Sequence, residues 1–150
     1  MSSSRIEAYI PLVQRFASRS LAFHSAVAAR LGIHATDLKS LQLLGDRWMT
    51  AGELGESVGL TAAAATLLVD RLEKAGFVVR HRSGSDRRRV EVHAVPEKLE
   101  EAQALYSAQS RRMAELLLKY TDAEFGVIAD FLERTTEVLT EETERLTAGD

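Results

Sequence analysis

The 150 residues include 45% hydrophobic and 27% charged side chains, with 19 basic and 22 acidic groups, as in an ordinary globular domain. No run reaches the roughly 18 apolar residues of a membrane span, and the opening Met-Ser-Ser-Ser-Arg-Ile-Glu lacks a leader's basic start and apolar core, so a cytoplasmic protein is expected. Cysteine is absent, which excludes disulfides, thiolate metal sites and thiol redox sensing.

Between Ile6 and Leu31 apolar residues recur three or four apart, through Tyr9, Val13, Phe16 and Leu21, which predicts a long amphipathic helix. Pro11 lies inside this pattern and should kink or restart the helix, because it has no amide hydrogen and clashes with the preceding turn. Gly32 offers the stop. Thr36 is the expected N-cap of a second helix, with Asp37 in its first turn and Leu38, Leu41 and Leu44 on one face, ending near Gly45. Thr50-Ala51-Gly52-Glu53 has the form of a capping box, so a third helix begins near Ala51 and stops before Gly59. Thr61 caps a fourth, whose apolar residues Ala65, Leu68, Val69 and Leu72 run to a stop at Gly76.

After Gly76 the period changes. Phe77-Val78-Val79 and Val90-Glu91-Val92-His93 are β-branched and partly alternating, and Ser83-Gly84-Ser85-Asp86 between them has turn chemistry, which predicts a hairpin. Pro96 suits the first position of a fifth helix reaching about Tyr120, and Thr121-Asp122-Ala123-Glu124 is a second capping box that opens a last helix. Both terminal helices carry narrow heptad seams that require partners. The expected fold class is mainly α with a small β-hairpin. It comprises a winged helix-turn-helix lobe over residues 35–96 and a helical dimerisation region from residues 1–34 and 97–150, together one domain.

Helix, glycine turn, helix and hairpin form an order that reads DNA, the second helix of the pair entering the major groove. A net charge of -3 conceals the distribution, for residues 71–89 hold seven basic against two acidic side chains while residues 97–150 hold six against thirteen. On the outward side of the fourth helix lie Thr61, Ala62, Ala63, Thr66, Asp70, Arg71 and Lys74. Alanine neither donates nor accepts through its side chain, so Ala62 and Ala63 offer close approach and contact with thymine methyls, and direct hydrogen-bond readout is expected to be modest. The amides near Thr61 suit a phosphate. The hairpin carries Arg80, Arg82, Arg87, Arg88 and Arg89, and Arg87 or Arg88 is expected to enter a narrow minor groove, with Asp86 bracing an arginine. The DNA-binding set is therefore Thr61, Ala62, Ala63, Thr66, Arg71, Lys74, Arg82, Ser85, Arg87 and Arg88. The rival is a winged helix that binds protein, whose wing should carry apolar or mixed residues in place of arginine.

His24, His34, His81 and His93 share no helical face and make a poor metal set, although His81 and His93 could face one another across the hairpin. Tyr9, Phe16 and Trp48 are candidates for a ligand cleft, against the plainer reading of aromatic packing. There is no nucleophile elbow, phosphate loop or metal-binding His-Glu pattern, so neither an enzyme nor a cofactor is expected.

Leu68-Val69-Asp70-Arg71-Leu72-Glu73-Lys74-Ala75-Gly76-Phe77-Val78, followed by Asp86-x-Arg88, resembles the recognition-helix end and wing motif of the MarR (multiple antibiotic resistance regulator) family. The long first and last helices match the family's arrangement as well. The sequence departs after the wing, where Val95-Pro96 and Leu99 replace a frequent Leu-Thr pair and glycine. The resemblance implies a homodimer with interleaved terminal helices on a pseudo-palindromic operator, acting as a repressor or, less often, an activator. It also implies release by a small aromatic or phenolic effector bound between the dimerisation and DNA-binding lobes.

Overall fold

The computed structural model describes residues 2–82 and 89–148. The chain forms α1 (Ser2–Leu31), α2 (Ala35–Leu44), β1 (Met49–Thr50), α3 (Ala51–Ser57), α4 (Ala62–Lys74), β2 (Val78–Arg82), β3 (Val90–Ala94), α5 (Pro96–Leu117) and α6 (Asp122–Ala148).

α1 runs unbroken through Pro11, against the expected kink or restart. Every residue from Arg5 to Arg19 is exposed, so water has access to the backbone around the ring and the lost hydrogen bond does not end the helix. α2 begins before Thr36, and its N-cap is His34 with no side-chain cap. Gly32, at φ 70°, turns the chain early, and the Leu38 amide reaches the His34 carbonyl at 3.0 Å. Thr36 is helical, and its carbonyl accepts from the Ser40 hydroxyl at 2.9 Å.

Both capping boxes form. Thr50 and Glu53 exchange bonds of 2.7 and 3.2 Å, and Thr121 and Glu124 do so at 2.9 and 3.3 Å. The backbone amide of the capping threonine, followed by its hydroxyl, holds each glutamate carboxyl below its ordinary pKa.

Three antiparallel strands lie in the order β1-β3-β2, with Met49 opposite Val92 and Val78 opposite Ala94. β1 is only two residues long, too short for a periodicity to show in the sequence.

The chain divides into two compact units, residues 1–105 and 106–150. In the first, Leu41, Leu44, Leu54, Leu72 and Val69 are fully buried, and Phe77, Val78 and Val92 join the sheet to this helical core. Val27 and Ala28 bring the end of α1 into the same unit. The second unit holds the far half of α5 and all of α6, and α6 has no buried residue among those described. Phe125, Phe131, Leu132 and Leu139 stand out along it, each about half exposed or more.

Candidate nucleic-acid interface

α3 and α4 form the helix pair. Thr61 caps α4 by accepting from the Ala64 amide at 3.3 Å, and the turn before it passes through Gly59 at φ 73°. The helices meet closely at Gly55, where an added Cβ would stand 2.4 Å from the Cβ of Ala65. Ala65, Leu68, Val69 and Leu72 are buried against the core, so the opposite side of α4 faces out. Thr61, Ala62, Ala63, Thr66, Arg71 and Lys74 are all exposed there, as placed from the sequence.

Leu67 shares that outward side at 60% exposure, a residue the sequence analysis places on neither face of the helix. The signal was available. At about 100° per residue, position 67 falls opposite the stripe set by 65, 68, 69 and 72.

The structure gives three of the basic residues partners within the protein. Arg71 reaches across to α2, its Nη2 2.6 Å and its Nε 3.2 Å from the two carboxylate oxygens of Asp37. Asp37 is 2% exposed, and its hydrogen bond holds the Arg71 guanidinium above its ordinary pKa. Asp37 is thus the buried end of a bidentate brace between α2 and α4, beyond its expected place in a first turn. Arg80 on β2 pairs with Asp70 at 2.5 Å and with Glu73, both on α4. Arg89 pairs with Glu53 at 3.0 Å and Glu91 at 2.9 Å. Arg82 is exposed at the end of β2. Ser85, Asp86, Arg87 and Arg88 lie outside the described residues.

The aromatic candidates separate. Tyr9 and Phe16 stand on the exposed side of α1, while Trp48 lies against the sheet, its ring 5.6 Å from that of His81 and in contact with His93. His81 stands opposite Glu91 and His93 opposite Val79, so the two histidines are diagonal neighbours and do not face each other directly. A largely apolar cavity of about 290 Å³ opens between α1 and α2, lined by Leu21, His24, Ala35, Leu38, Lys39 and Gln42. None of the three aromatics lines it. Among the described residues no group of three or more His, Asp or Glu side chains is placed to hold a metal ion, and no helix is long and apolar enough to cross a membrane.

Residues 37–90, from the brace on α2 to the start of β3, match the model of the MarR family. An uncharacterized HTH-type transcriptional regulator, YcgE of Bacillus subtilis (strain 168), is 38% identical over 138 residues, which cover 91% of this chain and 90% of that one. Among solved structures, a MarR family protein from Bacillus stearothermophilus superposes with a TM-score of 0.70 at 24% identity, covering 92% of this chain and 98% of that one. The apo form of wild-type MarR from E. coli does so with a TM-score of 0.62 at 20% identity, covering 85% and 95%. The two structures share the winged-helix fold seen here, and the near full-length likeness to YcgE carries kinship across the terminal helices, so that the chain belongs to the MarR family of DNA-binding transcriptional regulators.

Proposed function

We propose that the protein is a homodimeric, ligand-responsive repressor that places α4 of each subunit in successive major grooves of a pseudo-palindromic operator and the β2–β3 wing in the flanking minor groove. The observation that carries this reading is the outward face of α4, unoccupied by the core and standing beside a hairpin rooted by Arg80 and ending, where described, in the exposed Arg82. Arg71, Arg80 and Arg89 serve as braces, so the positive charge offered to phosphate comes from Lys74, Arg82, Arg87 and Arg88, with Ser85 as a further candidate contact. The exposed apolar rows on α1 and α6 are suited to burial against a second copy of the chain. The place we assign to a small aromatic or phenolic effector is the largely apolar cavity between α1 and α2.

Fluorescence anisotropy with the duplex upstream of the gene tests the reading, alongside light scattering for a mass near twice 16.5 kDa. Binding should weaken with salt at a log-log slope of about -0.9 per phosphate contact. Replacing Arg87 and Arg88 by alanine should make that slope shallower by about 0.9 for each arginine, with melting temperature and dimer mass unchanged. A monomer, or a chain that shows no salt-sensitive affinity for any duplex, returns the wing to a protein-binding role.

A further inference from the structure

The outward face of α4 keeps few hydrogen-bonding groups for a partner. Thr61 uses its hydroxyl oxygen to accept from the Ala64 amide, and Thr66 donates its hydroxyl proton to the Ala62 carbonyl at 3.0 Å. Arg71 is forked onto Asp37, while Asp70 and Glu73 both face Arg80. Lys74 is the last residue of the helix, about 18 Å along its axis from Ala62 at about 1.5 Å per residue. Beyond the Thr61 hydroxyl proton and the Thr66 oxygen lone pairs, what the first two turns present is Ala62, Ala63, the methyl of Thr66 and Leu67, the last at 60% exposure. Offsets of three and four make these one contiguous patch.

We infer that this patch, with Leu67 as its largest member, reads the C5-methyl groups of thymines in the major groove, so that apolar contact sets the sequence preference of α4. The thymine methyl is the one apolar group among the major-groove base edges. A leucine pressed on it removes apolar surface from water on both sides. Pressed on a guanine, adenine or cytosine edge, the same side chain strips water from donors and acceptors and offers nothing in exchange. The preference therefore has an attractive and a repulsive part. The inference rests on the DNA-binding reading above and adds what that reading leaves open, the chemistry by which bases are told apart.

The test begins with a duplex selected by the full-length protein from a random library. Each thymine is then replaced singly by deoxyuridine, which lacks the methyl and keeps the hydrogen-bonding edge. At one or more thymines in each half-site the wild-type protein should lose about fourfold in affinity, the worth of one methyl-sized group removed from water. Leu67→Ala should show no such loss on the same duplexes. Its side chain is exposed, so its thermal melt should match the wild type. The inference is overturned by a selected duplex that tolerates deoxyuridine at every position, or by Leu67→Ala retaining the full penalty. If no duplex is enriched, the DNA-binding reading falls and this inference goes with it.

Discussion

Arg71→Ala is expected to cost the protein about 3 kcal/mol of stability, read as a fall in melting temperature and urea midpoint, because it leaves a buried carboxylate without its counter-charge. Asp37 is 2% exposed, whereas the Arg71 guanidinium is 45% exposed, and the asymmetry is the basis of the prediction. Removing the arginine strands the Asp37 carboxylate in the interior without its partner. Removing the aspartate lets Arg71 turn into solvent, so Asp37→Ala should cost clearly less. A double variant with apolar residues of matching volume should recover much of the loss. If Arg71→Ala melts like the wild type and loses only DNA affinity, Arg71 acts at the phosphate backbone and the brace is incidental.

Gly55→Ala should be the most damaging small substitution in the helix pair. The new Cβ would lie 2.4 Å from the Cβ of Ala65 and 3.6 Å from its Cα, and neither atom can swing aside as the end of a long side chain would. The helices must separate, at about 1 to 3 kcal/mol for overpacking, and α4 shifts relative to the sheet. DNA affinity should fall together with the melting temperature. Ala65→Gly placed on top of Gly55→Ala removes the clashing atom. The pair should regain DNA affinity and melt close to the wild type, because the glycine lost from α3 and the one gained in α4 offset each other at about 1 kcal/mol each. If the second change rescues nothing, the close approach of α3 and α4 is not what Gly55 serves.

Much of the fold was legible because local chemistry and periodicity agreed. Thr50 with Glu53, Thr61, and Thr121 with Glu124 each set a helix start that the structure keeps. The buried stripe of α4 is the one its spacing gave. The failures come from neighbouring turns that override a local signal and from partners far away in the chain. Thr36 looked like a cap by local chemistry, but the turn at Gly32 starts α2 two residues too early for it. β1 exists because Val92 and Glu91 offer a free edge to Met49 and Thr50, which no local pattern of two residues records. For the site, residue type put Arg71, Arg82, Arg87 and Arg88 in the DNA-binding set and left Arg80 and Arg89 beside the hairpin without a role. Only the three-dimensional pairing of Arg71 with Asp37, Arg80 with Asp70 and Glu73, and Arg89 with Glu53 separates braces from the basic residues left to meet phosphate.

The short passage from α4 into β2 constrains how such a protein lets go. Only Ala75, Gly76 and Phe77 separate helix from strand; Phe77 is buried, its amide bonds back to the Leu72 carbonyl at 2.9 Å, and Arg80 closes the same corner onto Asp70 and Glu73. Finger root and reading helix therefore form one solid block, and in the proposed complex neither could withdraw from its groove while the other stayed. In the proposed dimer, release would have to act on the pitch between two such blocks astride a duplex, an all-or-nothing lever in place of a graded loosening of single contacts.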